Sequence, residues 1–210
     1  MQMVITWTAS ISLGIWGTTA DVGIYNVAAR TAMLTNVILI AVNTIVAPKF
    51  AALYLKGDLD ALGSIARNSA KLMTVIAIPV LLLFISAPGW VMGIFGSQFS
   101  DWGVVLAIIS LAQFINVATG SVSFLLMMCG FERLMRNNVV FCAGLNVVLN
   151  LILVPWLGVI GAALSAALTI ATMNIVSAIL VWHAMRIRTI PFLTTRLLSP
   201  LIIIRQWLRH

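Results

Sequence analysis

The side chains that could do chemistry are few, and most of them sit inside apolar runs. Asn36 and Asn43 are seven residues apart, which puts both amides on one face of a helix. Gln113, Asn116, Gly120 and, less closely in phase, Ser123 make a second polar stripe; Cys142, Asn146 and Asn150 make a third at four-residue spacing. An amide both donates and accepts hydrogen bonds, so such stripes suit either of two jobs. They hold helices to one another, or they line a path for a polar solute. Arg30 offers different chemistry, because a permanently charged, planar fork of donors matches the oxygens of a phosphate. Asp21 precedes it by nine residues, and a structural pair between the two is the plain alternative to an anion contact.

No residues form a catalytic set. The five acidic residues fall at the ends of apolar runs or between them, and His183 and His210 stand at the last run's end and in the tail. Cys129 and Cys142 flank a short connection at a spacing that suits neither a metal site nor a disulfide framework. Neither enzymatic activity nor a metal or cofactor is expected.

The elements that must position these residues follow from composition. Of 210 residues, 62% are hydrophobic and 8% are charged, against roughly 45–50% and 25% in soluble domains. That excess of apolar residues is more than a chain of this size can bury in water, so the class is integral membrane protein and a soluble enzyme is excluded. The net charge of +7 does not point to nucleic acid, since the basic residues lie in the gaps between apolar runs rather than on one face. The first twenty residues carry no charge, so the opening reads as a span rather than a signal peptide.

Hydrocarbon leaves the backbone no partner but itself, and no ten-residue alternating segments suggest a barrel. The uncharged stretches therefore predict an all-α, polytopic transmembrane bundle of about six spans, over residues 1–20, 31–48, 72–90, 103–129, 137–155 and 159–184, in one lobe of residues 1–185. Pro155 and Gly158 divide the last long run in two. Gly161, Ser165 and Thr169, with Gly158, Ala162 and Ala166, give its second half a small-residue face for close packing. Lys49, Lys56, Arg67 and Lys71 fill one connection, Arg133 and Arg136 another, and more arginines follow the last span. These are alternate connections, so both termini are expected in the cytoplasm. Residues 58–71 read as an amphipathic helix on the cytoplasmic surface, and residues 186–210 as a basic cytoplasmic amphipathic tail on anionic membrane lipid, with a shortened seventh span as the alternative.

Four strings carry a family resemblance: DVGIYNVAAR at 21–30, APKF at 47–50, MCGFER at 128–133 and NLILVPWLGVIGAA at 150–163. Together they resemble the polysaccharide transport family of oligosaccharide and O-antigen flippases, in the superfamily that also holds the lipid II flippase and the MATE drug exporters. The resemblance covers the C-terminal lobe of that family and implies a two-lobe, MATE-like fold with a central cavity and alternating access. It implies movement of polyprenyl pyrophosphate-linked glycan from the cytoplasmic to the periplasmic leaflet of the inner membrane. Arg30 would then contact the anion, and Asn36, Asn43, Gln113, Asn116, Asn146 and Asn150 would be the substrate-binding amides. With one lobe present, the expected partner is a second copy in a homodimer or a separate N-terminal lobe. A truncated flippase, a cation-coupled exporter and a non-transporting subunit are the alternatives; the lack of acidic residues inside the spans speaks against cation coupling.

Overall fold

The computed structural model describes residues 1–185; the tail of residues 186–210, with its expected membrane contact, lies outside them. Among the described residues all regular structure is helical. Helix α1 (Gln2–Trp16) and helix α2 (Thr19–Met33) are joined by a tight turn that a reciprocal cap enforces. Thr18 Oγ1 accepts from Asp21 N at 3.2 Å, while Asp21 Oδ2 accepts from Thr18 N at 2.8 Å. Two orphan donors at the start of α2 are thereby satisfied.

Helix α3 (Asn36–Leu55) follows α2 almost directly. Leu34 and Thr35 keep right-handed helical dihedrals, but their amides bond three residues back instead of four, to Thr31 and Ala32. Gly57, at φ 73°, turns the chain, and Asp58 caps helix α4 (Leu59–Ser86) by accepting from Ala61 N at 3.0 Å. Helix α5 (Pro88–Gly93) and a 3₁₀ segment (Ser97–Trp102) fold over the opposite end of α4. Helix α6 (Gly103–Ala118) stops at Gly120, φ 77°, and helix α7 (Val122–Met128) resumes the passage. Helix α8 (Glu132–Met185) doubles back at Gly158, φ 54°.

Four stretches are long and apolar enough to cross a membrane, namely Thr19–Leu55, Leu59–Ser86, Ser97–Ala118 and Glu132–Met185. The last holds two arms, residues 132–157 and 159–185. Their pairing is antiparallel: Asn146 Nδ2 donates to Thr169 Oγ1 at 3.1 Å, and Asn138 Nδ2 donates to Ser177 Oγ at 2.9 Å. Near the reversal the arms touch so closely that a Cβ on Gly161 would run into the Leu153 carbonyl oxygen. The chain is thus an all-α, multi-pass membrane bundle.

Two segments differ from the sequence reading. Residues 21–30, read as a connection because they carry Asp21 and Arg30, are the body of α2; Asp21 is a capping residue, not a loop residue. Residues 58–71, read as lying flat on the surface, are the cap and first half of one helix that continues into the apolar half of α4, where it holds Pro79. A helix whose second half enters the bundle carries its first half along the same axis. Leu62, Ala66 and Ala70 are buried against neighbouring helices as a result.

The core has a large apolar cluster at each end of the bundle, with two small ones between them, Ile5 with Ala112, Ala166 and Ile170, and Met73 with Ala77 and Val117. At the end that holds Gly158, one apolar cluster joins Leu13, Ile24, Tyr25, Phe84, Met92, Leu106 and Val159. At the end that holds Gly57, another joins Phe50, Leu62, Leu125, Leu126, Val181 and Met185. Helices α1, α2, α5 and α6 supply side chains to the first and not the second, α3 and α7 to the second and not the first; α4 and α8 run through both. Exposed Trp16, Trp90 and Trp156 ring the Gly158 end, as amphipathic aromatics do at a membrane–water interface.

Candidate functional site

Between the two end clusters, beside the two small apolar ones, lies a layer of amides. Asn36 Nδ2, at the start of α3, donates to Gln113 Oε1 of α6 at 2.9 Å. Asn116 Nδ2, one turn further along α6, donates to Asn36 Oδ1 at 3.0 Å, and Asn174 Nδ2 of α8 donates to Asn116 Oδ1 at 3.1 Å. Thr119 Oγ1 completes the ladder by donating to Asn174 Oδ1 at 3.0 Å. Gln2 of α1 joins through a longer reciprocal pair with Gln113, 3.4 Å each way. Four helices are thus linked by side-chain amides in a region where an unpaired polar group is costly.

The layer coincides with two interruptions of the helices. Asn36 directly follows the tightened turn at Leu34 and Thr35, and Thr119 directly precedes Gly120. On the far side of the second break, Ser121 Oγ donates to Asn43 Oδ1. Gly120 is required there twice over: its φ is left-handed, and a Cβ would meet the Cβ of Ala70 on α4 at 2.8 Å.

The candidate residues therefore divide into three groups. Asn36, Gln113 and Asn116 come together in the ladder, and Asn43 stands beside it. Asn146 and Asn150 belong to a separate cluster enclosed between the arms of α8, both fully buried, with Asn150 Nδ2 donating to the Asn146 carbonyl at 2.9 Å. Each of these six amides makes at least one hydrogen bond to protein, while Asn43 Nδ2 and Asn150 Oδ1 are buried without a partner among the described residues. Arg30 belongs to neither cluster. It sits exposed on the last turn of α2 and makes no hydrogen bond or ion pair with any described residue. Asp21, the partner considered from sequence, is committed to Thr18, and nine helical residues separate it from Arg30 by about 13 Å along the axis.

The depth of Arg30 matters more than its neighbours. Helices α1 and α2 run antiparallel, with a rung from Asn26 Nδ2 to Ser10 Oγ at 3.2 Å, and at the next level Gln2 of α1 and Asn36, just beyond α2, both bond Gln113 of α6. Arg30 falls between those two levels, about 18 Å from the Thr18 turn at 1.5 Å per residue. The 28 residues of α4 measure the bundle at about 42 Å by the same rise. Arg30 is therefore close to mid-height. Along α2 and α3 the outward stripe continues from it through exposed Leu34, Val37, Ala41 and Ile45 to Lys49.

The periodic stripes alone could not have found Gln2 and Asn174, since each is the lone amide of its apolar run; that isolation in an otherwise apolar span is itself the signal.

Residues 1–104 match the family model described as "Polysaccharide biosynthesis protein". Over 180 residues the chain is 26% identical to "Probable flippase AglR" of Haloferax volcanii, covering 84% of this chain and 38% of that protein. Over 174 residues it is 28% identical to "Probable low-salt glycan biosynthesis flippase Agl15" of the same organism, covering 82% and 37%. The chain thus spans less than two fifths of the length of these curated relatives. No solved structure matches it.

Proposed function

We propose that this chain, whose matches support a polysaccharide flippase family, forms one lobe of a transporter that carries lipid-linked oligosaccharide across the membrane. In this reading the substrate is a polyprenyl pyrophosphate-linked repeat unit, moved from the cytoplasmic to the periplasmic leaflet of the inner membrane. The relatives are named flippases rather than enzymes, in keeping with transport instead of catalysis.

The observation that carries the reading is Arg30. A guanidinium at mid-height of a membrane bundle costs about 2.5–3.5 kcal/mol even on permissive insertion scales when it faces lipid. It has no carboxylate partner among the described residues. A water-filled cavity against a second lobe removes most of that cost, and a pyrophosphate passing through it gives the fork a ligand. The second lobe would come from a second copy of this chain or from a separate N-terminal lobe. The amides take the supporting part: Asn36, Gln113 and Asn116 hold the wall behind Arg30, Asn43 braces the break below it, and Asn146, braced by Asn150 on its own arm, ties the arms of α8 together. Any direct sugar contact falls to the half-exposed edges of Asn36 and Asn116. The basic connections at the Gly57 end, with Lys56 and Arg133, face the cytoplasm in this arrangement, with both termini on that side.

Export of the lipid-linked glycan in the assembled transporter tests it. Arg30→Ala should reduce export at least tenfold with abundance near normal, and Arg30→Lys should restore only part of it, because an ammonium keeps the charge but loses the bidentate fork. Full export by Arg30→Ala would end the proposal.

A further inference from the structure

We propose that the amide layer is a bending plane within this single lobe, across which the half nearer Gly57 tilts as a unit relative to the half nearer Gly158. The inference does not depend on the identity of the substrate.

Three independent features fall at one level. The first is the pair of backbone interruptions. At Leu34 and Thr35 the normal bond four residues back gives way to bonds three residues back, and at Gly120 the helix stops in a left-handed residue. Tightened turns inside long helices are recurrent hinge points, since their weaker hydrogen bonds exchange at low cost. The second is the split core. The large clusters at the Gly158 and Gly57 ends are separated, at the amide level, by two small ones of four and three buried residues, and the interrupted passages contribute to one large cluster before the break and to the other after it. Close-packed apolar side chains move as blocks, whereas the seam between two blocks deforms.

The third feature is the chemistry of the seam. The bonds that cross it are amide to amide, from Asn36 to Gln113 and Asn116 and from Asn174 to Asn116. Each amide carries two donors and two acceptor lone pairs, so a small tilt can exchange one partner for another without leaving a polar atom unpaired in the membrane. Within the Gly57 half, the bond from Ser121 to Asn43 ties α7 to α3, so the two pieces beyond the breaks travel together. Helices α4 and α8 pass through the level unbroken, and gentle curvature over their length accommodates the tilt.

Paired spin labels on the full chain in lipid nanodiscs test this, with Cys129 and Cys142 replaced by Ala and labels at exposed positions. Leu55 with Met127 reports on the Gly57 half, Trp90 with Trp156 on the Gly158 half, and Leu55 with Trp156 on the distance across the seam. Narrow distributions are expected within each half, with a distribution at least twice as wide, or bimodal, across the seam. Asn116→Leu should shift the balance of the distribution across the seam and leave both internal ones unchanged. Equally narrow distributions for all three pairs would overturn the proposal. So would a Leu55–Met127 distribution as wide as the one across the seam, because the Gly57 half would then not be one body. The comparison of the three pairs without the Asn116 substitution decides the matter even if that variant fails to fold.

Discussion

The closed hairpin of α8 and the amide ladder are built from the same residue type, and they differ in everything around it. In the hairpin, Asn146 and Asn150 are fully buried, Asn146 meeting a hydroxyl of the opposite arm and Asn150 the Asn146 carbonyl one turn back, while Gly161 lets the arms touch. In the ladder, Asn36 and Asn116 are half-buried, meet other amides, and stand beside interrupted helices. Asparagine therefore acts as a fixed clasp where small residues bring backbones together, and as an exchangeable link where helix breaks leave room. What decides is the packing partner rather than the amide.

The largest effect expected from breaking this contrast is at the hairpin. Gly161→Leu places a branched side chain where even a Cβ meets the Leu153 carbonyl, and overpacking of this kind costs roughly 1–3 kcal/mol or more. Loss of a monodisperse peak on size exclusion in detergent is the expected result; a normal peak with unchanged melting would show that the arms are not in contact there. Next is the clasp itself. Asn146→Leu removes the bond between the arms, while the Thr169 hydroxyl keeps its own donation to the Ser165 carbonyl, and should lower stability by about 1 kcal/mol, read as a reduced melting temperature in detergent. Asn116→Leu should lower it less and impair transport more, and the reverse order would remove the distinction between clasp and link.

The all-α membrane bundle was legible in the apolar runs, because only helices satisfy the backbone across hydrocarbon. The extent of α2 was not, since Asp21 and Arg30 interrupt the uncharged run and look like a connection. Asp21 is in fact spent on the reciprocal cap with Thr18, a local pairing that the spacing Thr18 to Asp21 does encode. Residues 58–71 were misread for a related reason: a helix with one apolar face has the same pattern on a membrane surface as along a bundle. The stripes of Asn36 and of Gln113 with Asn116 were visible, but which stripe meets which depends on how each helix is rotated about its axis, and no period in a single sequence carries that. Gln2 and Asn174 escaped for lack of any stripe.

A smaller effect separates structural charge from functional charge. Thr18→Ala removes one arm of the cap on α2 and should cost about 1 kcal/mol, seen as a modest fall in melting temperature with glycan export per molecule unchanged. A loss of export larger than the loss of folded protein would instead tie the Thr18 turn to the transport path.

The central claim is that Arg30 faces water at mid-height of the membrane. Arg30→Cys, with Cys129 and Cys142 replaced by Ala, puts a thiol at that position, and a charged, membrane-impermeant thiosulfonate reagent reports on its surroundings, because only a thiol in water ionises and reacts. Val37→Cys, on the same exposed stripe, serves as the comparison. The account predicts rapid modification of position 30 in the assembled transporter in membranes. A position 30 that stays unmodified there, while a thiol at exposed Lys56 reacts, would contradict it.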